Sequence, residues 1–385
     1  MNVLHRLVRF TKSIYGELNY KIRGIKNNKI VLCSNFGTGY LCNPKYIAEA
    51  LNRLYPGQYQ LVLLIKNKTN LPSYIKQVKY GSFSACKELS TAHFWINNFR
   101  NDPKIVEKHD GQVYIQTWHG SLGPKRAEQD VEAHLSQEYI SAAKYDGSIT
   151  DLMFANNDLN ERLFKNSFWY TGPVVRCGAP RNRPLLITRD YNAKKVRDHF
   201  GIDPEAKICL YAPTFRADGS MKAYRFDCDQ VINALEKKFC SSFVLLYRLH
   251  PNLRNSPRPS FLSNHIDVTS YQDQQELLAA SDIVISDYSS ILEDFALTNK
   301  PAFVYATDLD TYTDDRGFYY PLSERPFPVA TSSAELVKTI VEFDSQKYRR
   351  NVLSFFASKG LIDDGKGDEA IAEIINGIAR QKANL

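Results

Sequence analysis

The sequence predicts an α/β protein made of two doubly wound parallel sheets that face a cleft. Three observations predict it. The chain has 385 residues, which at roughly 150 residues per domain suits two domains. Apolar residues make up 43% and charged residues 24%, a globular balance that excludes disordered, collagenous and coiled-coil proteins. Short apolar, β-branched runs alternate with helical patterns through most of the chain, which is how parallel sheets covered by helices read.

The elements follow in order. Residues 1–24 form an amphipathic helix, with Leu4, Leu7, Val8, Thr11, Ile14, Tyr15, Leu18 and Ile22 on one face and Arg6, Arg9 and Lys12 on the other. Buried strands are expected at 29–35, 59–66, 93–97, 112–118 and 152–156, with helices such as 43–54 and 134–145 between them. A second series has strands at 207–212, 243–249, 282–287 and 301–306, separated by helices at 191–200, 228–239 and 273–280. The break at Arg181-Asn182-Arg183-Pro184 divides a first domain, 25–184, from a second, 185–365. The tail, 366–385, is a final helix carrying Ile371, Ile374, Ile375 and Ile378 on one face. No fixed-period repeat and no low-complexity tract interrupts this order.

Charge is concentrated. Of a net +7, residues 1–29 hold seven bases (Arg6, Arg9, Lys12, Lys21, Arg23, Lys26, Lys29) against Glu17 alone, so the rest is nearly neutral. A nucleic-acid binder would stripe its charge over a folded domain; here a basic amphipathic helix suits an anionic membrane surface, or else packs on the protein itself. No apolar run approaches the ~20 residues of a membrane span, and the first residues lack a signal-peptide core. Seven scattered cysteines without CxxC spacing suggest neither a zinc site nor a disulfide framework. The expectation is a cytoplasmic protein with reduced thiols.

Several motifs sit where predicted strands end, the place where doubly wound sheets bind ligands. Gln116-Thr117-Trp118-His119-Gly120-Ser121 puts His119 at a strand end, either as a base working near neutral pH or as a turn cap. Tyr211-Ala212-Pro213-Thr214-Phe215-Arg216 presents Thr214 and an arginine whose fork suits a phosphate, or which is simply solvated. Arg248-Leu249-His250-Pro251 puts Arg248 and His250 on one side of a strand as an anion site, unless one pairs locally. Ser286-Asp287-Tyr288-Ser289-Ser290-Ile291-Leu292-Glu293-Asp294 opens a helix, with Ser290 and Glu293 in capping-box spacing and its N-terminus open to a diphosphate. Asp308-Leu309-Asp310 matches a metal-binding DxD only weakly, and no metal is expected. Asn35-Phe36-Gly37-Thr38-Gly39 lacks the third glycine of GxGxxG, since residue 42 is Cys42, so a nicotinamide site is rejected; an acceptor-side loop is left.

Taken together, Trp118-His119-Gly120, Tyr211 to Arg216, Arg248 to Pro251, Asp287-Tyr288-Ser289-Ser290 with Asp294-Phe295-Ala296, and Arg316-Gly317-Phe318-Tyr319 resemble the CDP-glycerol glycerophosphotransferase family of teichoic acid and capsule synthesis. The motifs occur in the family's order over about 200 residues. The resemblance implies a GT-B architecture, no obligatory metal, and peripheral attachment to the cytoplasmic face of a bacterial membrane; no cofactor is expected. It implies catalytic roles for His119 and His250. The family commonly follows Trp-His-Gly with Thr-Pro and a lysine; this chain reads Ser121-Leu122-Gly123-Pro124-Lys125, a change that bears on the acceptor.

The expected reaction is attack by an acceptor hydroxyl on the β-phosphorus of CDP-glycerol or CDP-ribitol, with release of CMP. His119 is the expected base. His250, Thr214, Arg216, Arg248, Asp287, Ser289, Ser290, Asp294 and Arg316 are expected on the donor side, and Gly120, Ser121 and Lys125 on the acceptor side. The expected acceptor is a polyprenyl-diphosphate-linked saccharide. A GT-B glycosyltransferase using a nucleotide sugar is the alternative, and a non-catalytic membrane scaffold a third reading.

Overall fold

The structure, a computed structural model, describes residues 3–100, 106–216, 221–250, 253 and 259–383, with the side chains of 3–6, 313–316 and 382–383 outside the description. The chain forms two compact units. The first comprises Met1–His119, Ala127–Arg183 and Ile362–Leu385; the second comprises Gly120–Arg126 and Pro184–Leu361. The expected boundary lay one residue further on, after Pro184. Two excursions were not expected: the seven residues after His119 belong to the second unit, and the C-terminal segment returns to the first.

The first unit holds seven parallel strands: β1 (Lys26–Cys33), β2 (Gln60–Ile65), β3 (Ile75–Lys79), β4 (Ala92–Asn97), β5 (Val113–Gln116), β6 (Leu152–Ala155) and β7 (Val174–Arg176), in the order β3-β2-β1-β4-β5-β6-β7. Its helices are α1 (Val3–Arg23), α2 (Cys42–Leu54), α3 (Phe83–Ser90), α4 (Gln137–Ile149) and α5 (Asp158–Asn166). Alternate residues of β1 enter opposite layers: Ile30 and Leu32 pack in one cluster, Val31 and Cys33 in another, as a sheet buried on both faces requires. α4 starts later than expected because Ser136 is its N-cap, accepting from the Tyr139 amide at 3.2 Å.

The chain enters the second unit within α6 (Arg183–Leu186) and continues through α7 (Arg189–Phe200), β8 (Lys207–Tyr211), α8 (Cys228–Phe239), β9 (Phe243–Tyr247), β10 (Ile266–Asp267), α9 (Gln274–Ala280), β11 (Ile283–Ser286), α10 (Ile291–Ala296), β12 (Ala302–Tyr305), α11 (Leu309–Arg316), β13 (Val329–Ala330), α12 (Ser333–Val341) and α13 (Ser345–Ser358). The sheet is parallel, ordered β10-β9-β8-β11-β12-β13. α14 (Gly367–Ala383) then covers the first unit's sheet, burying Ile371 and Ile375 beside Ile30, Ile47 and Leu51. Arg53 and Arg183 fix its start by pairing with Asp368 and Glu369.

In each sheet the strand order reverses once, between β1 and β4 and between β8 and β11. Ligands of open α/β sheets bind at such switch points, beyond the carboxyl ends of the strands.

α1 and the start of β1 use part of the basic cluster for packing. α1 docks on α3 through its polar side: Gly16 lies against Val106 and Ser90, Lys12 Nζ donates to the Gly81 carbonyl at 2.5 Å, and Tyr20 stacks on His109 at 3.6 Å. The apolar side faces outward, with Phe10 63% and Ile22 70% exposed and Leu7, Ile14 and Leu18 also in solvent. Lys29, counted among the basic cluster, is buried in β1, bonded to Glu88 at 2.7 Å and Thr91 at 2.8 Å. Arg23 donates to Asn19 at 3.2 Å. Part of the cationic face therefore serves the fold. Leu4 and Arg6 lie outside the described side chains.

Candidate active site

Two groups of residues gather beyond the carboxyl ends of the strands, one in each unit.

In the first unit, β5 ends in a turn that places Trp118 at φ 54°, a left-handed conformation uncommon for a bulky residue. Hydrogen bonds hold it there. The Trp118 amide donates to Gln116 Oε1 at 3.0 Å, and Asn43 Nδ2 donates to the Trp118 carbonyl at 2.9 Å. Beneath the turn is a buried ionic group. Arg100 pairs with Glu128 at 2.6 Å and Asp146 at 3.0 Å, all three less than 5% exposed. Gln116 Nε2 donates to Asp146 at 3.3 Å and to the Phe99 carbonyl at 2.9 Å. Nothing local in the sequence marks Arg100, Glu128 and Asp146, whose pairing spans up to 46 positions.

His119 is the last residue of this arrangement. Its ring lies flat on Phe99, with centroids 3.9 Å apart and planes 2° apart, and Nδ1 is 2.8 Å from the Asn98 carbonyl. A carbonyl only accepts, so Nδ1 carries the proton and Nε2 keeps its lone pair. Burial first, then the positive charges of Arg181 and Arg100, push the imidazole down to about 4, against a partial opposing effect of the Asn98 carbonyl. The expectation of a base titrating near neutrality is corrected: His119 is unprotonated throughout the physiological range. It is a weaker base than a free imidazole, but always in its accepting form.

In the second unit, Arg216 does not reach outward. It is 7% exposed and bonded to Asp287 at 2.9 Å and to Asp308 at 2.5 Å and 3.0 Å. It also donates to the Thr214 carbonyl and hydroxyl at 2.9 Å and 2.8 Å. Its guanidinium lies 5.0 Å from the ring centres of both Tyr288 and Tyr312, which stack at 3.8 Å. The arginine expected to grip a phosphate instead braces the ends of β8 and β11. Asp287 accepts from the Thr214 amide at 3.0 Å and is 1% exposed, so it too braces rather than binds. Asp308 also accepts from Tyr288 at 2.9 Å; burial opposes its ionisation, but Arg216 brings it below the ordinary carboxylate range. Among the described residues, no group of three or more His, Cys, Asp or Glu could hold a metal ion.

Three further expectations are corrected. Arg248 donates to the Tyr271 carbonyl at 2.5 Å and to the Val268 carbonyl at 3.4 Å, which takes its fork into bracing rather than an anion site. Asp294 is 2% exposed and accepts from Gln275 at 3.2 Å, directed into the core. Ser290 makes no side-chain cap and α10 has only six residues. Glu293, expected to complete a capping box, is instead gripped by Arg325 at 2.7 Å and 3.0 Å. Arg325 also donates to the carbonyls of Asp287 and Ser289, and so holds the loop over residues 287–290. The Arg316 side chain and Pro251 lie outside the described residues.

The segment after His119 is the main surprise. Lys125 bridges Phe318, Tyr319 donates to the Pro124 carbonyl at 2.7 Å, and the Arg126 amide donates to Gly317 at 3.2 Å. Tyr320 donates to the Leu122 carbonyl. A Cβ on Gly123 would lie 2.8 Å from the Ser290 Cβ, so only glycine fits there. Residues 120–126, which include Gly120, Ser121 and Lys125 expected on the acceptor side, are thus sewn to the 287–290 loop and to 317–320. Lys125 lies over the Tyr312 ring at 5.2 Å. Burial, then Lys125 and Arg248, lower the His250 imidazole below its ordinary range. The neighbourhood of Lys125, His250, Ser289 and Ser290 offers one cation, one neutral imidazole and two hydroxyls.

Both units are Rossmann-like, and the fold is GT-B-like. A solved structure of a variant of the wall teichoic acid polymerase TagF, soaked with CDPG, matches with a TM-score of 0.85 at 29% identity over 99% of this chain and 96% of that one. The chain belongs to the CDP-Glycerol:Poly(glycerophosphate) glycerophosphotransferase family, whose model matches residues 15–377. A teichoic acid poly(glycerol phosphate) polymerase of Staphylococcus epidermidis is 30% identical over 97% of this chain, which spans only 54% of that protein. One from Bacillus spizizenii is 28% identical over 93% of this chain and 95% of its own length.

Proposed function

We propose that the protein transfers glycerol phosphate or ribitol phosphate from a CDP-alditol to a hydroxyl of a lipid-linked teichoic acid or capsule acceptor. The acceptor oxygen forms a bond to the β-phosphorus, the bond from that phosphorus to the bridging oxygen breaks, and CMP leaves with the electron pair. His119 Nε2 takes the hydroxyl proton. In the second unit, Lys125 and the hydroxyls of Ser289 and Ser290 bind the diphosphate, and neutral His250 gives a hydrogen bond rather than charge. The observation that carries this reading is the 2.8 Å contact of His119 Nδ1 with the Asn98 carbonyl, which leaves Nε2 to accept a proton beyond the carboxyl end of β5 in a chain of this family. The test is nucleotide release with CDP-glycerol, CDP-ribitol and UDP-sugars in the presence of lipid-linked saccharide. Acceptor-dependent CMP is expected; UDP or CDP as the product overturns phosphoryl transfer in favour of glycosyl transfer.

We also propose that α1 lies on an anionic membrane surface. No helix among the described residues is long and apolar enough to cross a membrane, whereas the outward row of Leu7, Phe10, Ile14 and Leu18 suits the headgroup boundary. Replacing Phe10, Ile14 and Leu18 together by serine is expected to abolish sedimentation with anionic vesicles and to leave thermal unfolding unchanged, because these side chains are exposed. Undiminished sedimentation would remove the proposal.

A further inference from the structure

The turn after β1 carries no role in the reaction as written above, yet its geometry is unusual. Asn35 and Phe36 are both left-handed, at φ 46° and 56°. Asparagine tolerates this, but phenylalanine is strained there and stays only where its surroundings impose the conformation. The surroundings are the residues that follow β4. The Asn35 amide donates to Asn98 Oδ1 at 2.9 Å, and Asn98 Nδ2 returns a bond to Asn35 Oδ1 at 2.8 Å. Phe36 meets Phe99 at 5.1 Å. Asn98 is fully buried, and its backbone is tied further by its amide bond to Asn97 Oδ1 at 3.0 Å.

Asn98 and Phe99 are also the two residues that hold His119: one through its carbonyl at Nδ1, the other through its ring face. Each residue of the strained turn therefore reaches the imidazole through one intermediary. We propose that Asn35 and Phe36 are positioning residues for His119, the Asn35–Asn98 amide pair fixing the Nδ1–H tautomer and the Phe36–Phe99 pair fixing the ring plane. They do not touch substrate. This rests on the reading of His119 as the base. The placement also suits the fold, since Asn35 and Asn98 follow β1 and β4, the two strands that flank the switch point.

Asn35→Gly tests the idea, because glycine keeps the left-handed backbone and deletes only the side-chain bond. The expected result is a fall in kcat of roughly 10- to 100-fold, the scale of a small misplacement of a reacting group, with KM for CDP-glycerol unchanged. Asn35→Asp retains the acceptor for Asn98 and is expected to recover most of the loss. Nitrogen shifts of the His119 ring give a readout independent of turnover: a single Nδ1–H tautomer in the parent chain and a mixture in Asn35→Gly. Combined with His119→Ala, Asn35→Gly is expected to cause no further loss. If His119→Ala is itself fully active, the base assignment fails. If His119→Ala is impaired but Asn35→Gly keeps the parent kcat and a single tautomer, or lowers the residual rate of His119→Ala by the same factor, the positioning inference is overturned and the base assignment stands.

Discussion

Replacing His119 with alanine is expected to lower CMP release by about 10²- to 10⁴-fold, the usual contribution of a positioned base, while CDP-glycerol binding stays within about twofold of the parent. The asymmetry follows from where the groups sit. His119 belongs to the first unit, whereas Lys125, His250, Ser289 and Ser290 belong to the second. Equal losses in binding and turnover would contradict the division of labour. The same residue contributes to acid stability. Its folded value of about 4 lies below the ordinary 6.5, so between those values the unfolded chain binds the extra proton. The contribution is fully present above pH 6.5 and is lost as pH falls towards 4, amounting to on the order of 3 kcal/mol. His119→Gln cannot titrate and is expected to flatten that part of the stability profile relative to the parent. Parallel profiles would show that the imidazole is not held neutral by burial.

The strands that were legible are those buried on both faces. KIVLC in β1 and LVLLI in β2 announce themselves as continuous apolar runs. β3 reads Ile-Lys-Gln-Val-Lys and is an edge strand with only two buried apolar residues, while β7, β10 and β13 have three residues or fewer; none carries a periodic signal. The motifs were legible as strand ends but not as roles. Arg216 looks like a phosphate ligand until Asp308, 92 positions away, occupies it. Arg248 looks like a partner of His250 until backbone carbonyls claim it. Glu293 sits in capping-box spacing, but a buried arginine 32 positions on outcompetes a backbone amide for its charge. In α1 the periodicity gave the amphipathic faces and no clue to which one turns inward, because that depends on Gly16 fitting against Val106. Pairing at long range leaves no local trace, and polar residues at functional strand ends use the same chemistry for bracing as for binding.

Arg325→Ala is expected to have the largest effect on stability, a loss of about 3–5 kcal/mol, because it strands a buried carboxylate. The Arg325 and Glu293 side chains are almost wholly buried, 2.7 Å apart. Burial already raises Glu293 above the ordinary carboxylate range even with the arginine present. Removing the cation leaves an acid that must stay protonated or open the fold. Replacing both residues by apolar ones, Arg325→Met with Glu293→Leu, removes the charges together and is expected to return most of the lost stability, since a buried pair is often no better than a packed apolar substitute. Donor binding should not return with it. Arg325 also supplies hydrogen bonds to the carbonyls of Asp287 and Ser289, and methionine cannot. The 287–290 loop would lose its clamp, and KM for CDP-glycerol should stay raised in the double variant after denaturant unfolding has recovered. A double variant restored in both respects would mean that the pair only fills the core; one restored in stability alone would separate the clamp on the serine loop from the charge balance beneath it.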